Sequence, residues 1–138
     1  MEIVSNTWNQ NPILRIVVFM AILETVWFSM MKSVYQTRLN MINMGMPTFS
    51  YRSSSIILVY ILLIFGINHY IISQFKDQVP RDIRTVMSVA IPFALIVYGI
   101  YNLTNYSIMF YWDYYVSTMD LLWGICMITA VSYLVLNF

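Results

Sequence analysis

Ile13-Leu-Arg-Ile-Val-Val-Phe-Met-Ala-Ile-Leu-Glu24-Thr-Val-Trp27-Phe-Ser-Met-Met31 is almost wholly apolar, yet it carries a carboxyl group near its middle. Crossing about 30 Å of hydrocarbon takes about 20 helical residues, and this stretch has the length. Three further segments meet the same test, at residues 54–75, 86–111 and 115–138. The last of them repeats the unusual feature, with Asp120 followed three residues later by Trp123 as Glu24 is followed by Trp27. Hydrocarbon does not solvate a carboxylate, so each acid must face protein, find a partner or keep its proton.

Composition agrees with a lipid environment. The 138 residues are 60% hydrophobic and 9% charged, against about 25% charged in ordinary soluble domains. A net charge of +1 supplies no field for steering a nucleic acid, so nucleic-acid partners are not expected and the lipid bilayer is. The single cysteine, Cys126, excludes an internal disulfide and reads as a small core residue. Residues 1–11 carry Glu2 and no basic residue, which lacks the positive start of a secretory signal, so the first helix is expected to be retained.

The spacing predicts an all-α polytopic membrane protein: one transmembrane domain over 1–138, with four helices in an up-down bundle. In the first loop, residues 32–53, Val34, Tyr35, Leu39 and Ile42 recur at helical spacing beside Lys32 and Arg38, up to Gly45 and Pro47. A short amphipathic helix lying on the membrane surface is expected there. Pro80 is placed to open the third helix, Pro92 to kink it, and Ala90 and Ala94 to allow close helix contact. Residues 112–114 force a hairpin between helices three and four. Arg15, Lys76, Arg81 and Arg84 on one side against Lys32, Arg38 and Arg52 on the other favour cytoplasmic or interior termini by one residue.

At 1.5 Å per residue, Glu24 and Asp120 fall about 10 and 8 Å below one membrane face, and Asn102 and Asn105 about 13 and 9 Å below it. Tyr98, Asn102 and Asn105 share one helix face. Glu24, Trp27, Tyr98, Asn102, Asn105, Asp120 and Trp123 are therefore expected to form one buried polar cluster. Its role is either to specify which helices pack together or to line a wet cavity for a cation, a proton or a polar headgroup. His69, the only histidine, falls about 12 Å from that layer by the same count, so no metal is expected, and no cofactor. Asn102-Leu-Thr104 and Asn105-Tyr-Ser107 match the glycosylation pattern but at membrane depth. The sequence contains no nucleophile elbow, phosphate-binding glycine loop, CxxC or HExxH, so no catalytic residue is assigned.

Tyr98-Gly-Ile-Tyr-Asn-Leu-Thr-Asn105 and Met119-Asp-Leu-Leu-Trp-Gly124 resemble the two signature segments of an uncharacterised family of small membrane proteins, domain-of-unknown-function family 2177, seen in bacteria and some large DNA viruses. Glu24-Thr-Val-Trp27 is similar to its first-helix acidic-x-x-Trp element, Tyr35-Gln-Thr-Arg-Leu39 to the segment after that helix, and residues 60–70 to its second span. The resemblance covers nearly the whole chain and implies four helices and no assigned activity. The chain departs from it at Glu24 and Asn102, where the family usually has aspartate.

The acidic-x-x-Trp element occurs in helices one and four, which run oppositely, the arrangement of an inverted repeat. Three functions compete. The first is a non-enzymatic structural or assembly component of a membrane, a virion membrane included, that packs with copies of itself or with other membrane proteins. The second is a small oligomeric transporter or channel subunit using the carboxyl and asparagine groups. The third, a lipid-modifying enzyme, needs a cavity open to lipid beside Asp120.

Overall fold

The computed structural model describes residues 11–42, 53–75 and 82–138, without the side chains of residues 39, 42 and 53. Four α-helices occur among the described residues: α1 (Pro12–Ile42), α2 (Ser53–Gly66), α3 (Ile83–Ile108) and α4 (Tyr114–Asn137). A π-helical turn at Ile67–Ile71 and a 3-10 turn at Ile72–Phe75 prolong α2. Stretches of all four are long and apolar enough to cross a membrane, at Pro12–Arg38, Ser54–Phe75, Ile83–Ile108 and Tyr114–Asn137. No strand occurs among the described residues. The all-α four-span architecture expected from hydropathy is the one observed.

The first loop differs from expectation. Instead of a separate surface helix, residues 32–42 continue α1 without a break. Nothing from Lys32 to Ile42 interrupts a helix, since neither proline nor glycine occurs there. Gly45 and Pro47 lie outside the described residues. The 31-residue α1 is about 46 Å long at 1.5 Å per residue, longer than the hydrocarbon is thick. Its amphipathic end therefore stands up against the bundle, where Tyr35 and Arg38 find partners on α4.

Helix α3 starts at Ile83, after Asp82, and ends at Ile108, three residues earlier at each end than the spacing suggested. Pro80 lies outside the described residues. The helix runs unbroken across Pro92, whose side chain is exposed, while Ala90 and Ala94 are wholly buried. Residues 109–113 form the tight connection to α4, which Asp113 caps by accepting the Val116 N–H at 2.9 Å. Capping satisfies a backbone donor that would otherwise be orphaned at the start of the helix.

Packing places α4 at the centre, against both α3 and α1; α2 reaches the other helices mostly through its last turns. Toward the amino-terminal end of α1, Ile16 and Met20 join Ile67, Ile71, Val86, Met127, Ile128 and Val131 in one hydrophobic core, and Ser132, which follows Val131, is wholly buried as well. Cys126 is not in it. Met127, Ile128 and Val131 take the inner face of α4, and Cys126 is turned to the exposed side. The outer face of α2 exposes Ile57, Leu58, Val59, Ile61 and Leu62, a surface that lipid solvates and water does not.

Two glycines allow close approach. A Cβ on Gly66 would run into the Phe93 ring, and one on Gly124 into the Tyr98 ring, whereas Gly99 has open space around it. Tyr98 thus lies flat across α4 at the residue after Trp123. Gly124→Ala should lower the stability of the folded protein by about 1–3 kcal/mol, the usual cost of overpacking. Gly99→Ala should leave it unchanged or slightly raised, because alanine is the better helix former. Thermal melting of both variants in the same detergent checks the contrast.

Candidate functional site: a polar clasp

Asp120 is held on both oxygens. The Tyr35 hydroxyl donates to Oδ1 at 2.6 Å, and the Asn102 amide donates to Oδ2 at 2.8 Å. The same Asn102 amide group also donates to the Tyr98 carbonyl at 3.0 Å, and the Asn102 Oδ1 accepts from the Trp112 indole at 3.3 Å. On α1, the Trp27 indole donates to the Tyr35 oxygen at 3.3 Å. A single chain of bonds thus runs from α1 through α4 and α3 to the hairpin turn. Asn102 is 2% exposed and Trp112 5%, so the bond between them forms away from the surface, where an unpaired polar group is costly, while Tyr35 and Asp120 are half-buried.

Helix geometry explains the reach of Tyr35. Side chains on a helix lean toward its amino terminus, so Tyr35, near the end of α1, points back down to Asp120 and Trp27. One turn beyond it, Arg38 forms an ion pair with Asp113. Along α1 the contacts Arg38, Tyr35 and Trp27 meet Asp113, Asp120 and Trp123 in turn. That descending-against-ascending order is the signature of antiparallel packing. Trp27 and Trp123 stack with ring centroids 4.7 Å apart and planes 2° from parallel.

The stack sets the levels of the two acids. In antiparallel helices, Glu24 lies three residues below Trp27, while Asp120 lies three residues above Trp123. The acids are therefore about 9 Å apart in height at 1.5 Å per residue, on opposite sides of the tryptophan pair rather than in one layer. The common level expected from sequence rested on ending the first helix at residue 31. Glu24 is 8% exposed, and the buried Trp123 indole N–H faces its carboxyl directly as a hydrogen-bond donor. Tyr60 and Tyr98 lie within the field of the same carboxyl.

Among the residues expected to cluster, Asp120, Asn102, Trp27 and Trp123 do meet. Tyr98 contributes its carbonyl and its ring. Asn105 is buried one turn nearer the hairpin, where its side chain meets Tyr101, and no bond among the described residues joins it to a carboxyl. Tyr35 and Trp112 belong to the clasp and were not anticipated. The cue for Tyr35 was its helical spacing, which followed α1 without a break. His69 is exposed on the π-helical turn, stacked on Phe65 at 5.3 Å and edge-on to Tyr70 at 4.9 Å. Among the described residues, no three His, Cys, Asp or Glu side chains are grouped to hold a metal ion.

The sequence profile of DUF2177, described as a predicted membrane protein family, matches residues 11–136. The chain belongs to this family. Membership and the four spans together make it an integral, multi-pass membrane protein. The DUF2177 match takes in every residue of the clasp, from Trp27 to Asp120. No curated protein and no solved structure matches the chain.

If the clasp is cooperative, its members should not contribute additively. A double-mutant cycle of Tyr35→Phe with Asp120→Asn, read by unfolding in a mixed detergent, should give a coupling energy of about 0.5–2 kcal/mol, in the range of interhelical hydrogen bonds in membranes. Arg38→Ala should cost under about 1 kcal/mol and lose its effect in high salt, because Arg38 and Asp113 are both partly exposed.

Proposed function

We propose that this protein is a non-enzymatic structural component of its membrane, in which the Asp120 clasp locks α1, α3 and α4 into one rigid body. The observation that carries the reading is the double occupancy of Asp120, whose two oxygens are both taken by protein donors. A carboxyl engaged on both oxygens by donors from two other helices is placed as a packing determinant. A concavity lined by Tyr106, Trp112 and Asp113 and another lined by Met87, Ile125 and Tyr133 both leave out Glu24 and Asp120. The lipid-enzyme alternative needs an opening beside Asp120, where Tyr35 and Asn102 sit instead.

Assembly is the second part of the proposal. The body of α2 meets the rest of the chain sparsely and presents an apolar face outward, which suits packing against further copies or other membrane proteins. Without a hydrophobic drive between helices in lipid, such contacts come from shape and from small residues.

Reconstituted vesicles test the first part. Proton and cation leak should equal that of empty vesicles, with and without Asp120→Asn; a leak that Asp120→Asn abolishes would overturn it. For the second, bifunctional cross-linking in native membranes should yield defined oligomers or heteromers through cysteines placed at Leu58 or Leu62. Monomer alone at every such position would sink the assembly role.

A further inference from the structure

We propose that the groove between α3 and α4 seats one acyl chain of an anionic phospholipid, whose headgroup is drawn to Arg84 at its mouth. This goes beyond the structural role of the Asp120 clasp and stands or falls separately from it. Ile83, Met87 and Ile91 recur every four residues as one stripe along α3, and Ile125, Thr129 and Tyr133 form the facing stripe along α4. Cys126 and Ala130, the next residues round α4, widen that wall. The groove between the two stripes holds about 450 Å³, a size typical of ligand clefts.

Its length selects a lipid tail. From Ile83 to Ile91 the groove runs about 12 Å at 1.5 Å per residue, and one leaflet of hydrocarbon is about 15 Å deep, half of the full thickness. It therefore reaches from the start of α3, at the membrane surface, almost to mid-bilayer. Two turns beyond Ile91 on the same stripe, the Tyr98 ring lies across α4 at Gly124, beside Ile125, and stops the groove there. A slot one leaflet deep and blocked at its inner end has the dimensions of a single acyl chain. A helix from a second copy needs a face that continues through both leaflets, and Tyr98 interrupts this one.

The mouth selects the headgroup. Arg84 follows Ile83 in the first turn of α3 and stands one turn before Met87. It is exposed, and no ion pair holds it among the described residues. Side chains lean toward the amino terminus of their helix, so Arg84 reaches out of the hydrocarbon to the level of lipid phosphates, as long cationic side chains do at helix ends. Asp82 lies beside it, and in sequence Arg81 offsets that charge, leaving residues 81–84 with two arginines against one aspartate. Arg15 adds a further cation in the first turn of α1, which begins at the same membrane face. A phosphatidylcholine head brings its own ammonium and gains less from this balance than a head with a net negative charge.

The test uses the full chain in phosphatidylcholine vesicles with trace phosphatidylglycerol or trace phosphatidylcholine, each carrying the same diazirine-bearing acyl chain. Labelling of residues 83–91 and 125–134 should exceed that of the lipid-facing residues 57–62 of α2, and should favour phosphatidylglycerol about five-fold, the effect of one arginine on an anionic head. Arg84→Gln, a change at an exposed position, should bring the two probes level. Ala130→Phe, which fills the groove without touching Arg84, should remove the groove signal of both probes and leave that of α2 unchanged. The proposal is overturned by a groove signal no greater than that of α2, by equal labelling with the two probes in the unaltered chain, by a preference that survives Arg84→Gln, or by groove labelling that persists in Ala130→Phe. Bis-maleimide cross-linking of two copies through the exposed Cys126, the single cysteine, would overturn it too, by assigning the groove to a second copy.

Discussion

A carboxyl group in hydrocarbon must be met by donors from the protein itself, and the architecture follows from how Asp120 meets that requirement. Its partners come from three places at once: Tyr35 on the far end of α1, Asn102 on α3, and, through Asn102, Trp112 in the hairpin turn. To deliver Tyr35, α1 has to continue past the thickness of the bilayer instead of turning along its surface. To deliver Trp112, the α3–α4 connection folds its indole inward. One demanding side chain thereby determines helix length, helix neighbours and turn conformation together.

The two ends of the bundle are held by different forces. Where Ile16 and Met20 pack, the core is mainly hydrophobic, and lipid competes on equal terms with protein for each apolar side chain. Cohesion there depends on close fit, supplied by the buried Ala90 and Ala94 and by Gly66 under the Phe93 ring. At the other end the polar network gives direction and register, because a slipped helix would leave donors unpaired. The Trp27–Trp123 stack is the boundary between the two regimes.

The repeated acidic-x-x-Trp element is used unequally. Around Asp120 the Tyr35 hydroxyl stands between the Trp27 indole and the acid. Around Glu24 the Trp123 indole faces the acid directly. A motif that reads as symmetric in sequence has therefore become one relayed half and one direct half. The difference depends on residues eleven positions away and on the neighbouring helices, not on the motif.

Hydropathy alone was enough for the four spans, because the cost of exposing apolar surface to water is nearly additive along a chain. The importance of Glu24, Trp27, Asp120 and Trp123 was likewise visible from the expense of a carboxyl in hydrocarbon. What the chain in one dimension did not contain was the register between helices. Residues 32–42 looked amphipathic, but periodicity describes a helix face and is silent on whether that face lies on lipid or on α4. Tyr35 was thus read as interfacial, and the two acids were set at one height. Only the tertiary structure decided these points. The choice depends on which donors reach Asp120 across three helices, and such pairing is a property of distances between residues up to 85 positions apart, not of any local run of sequence.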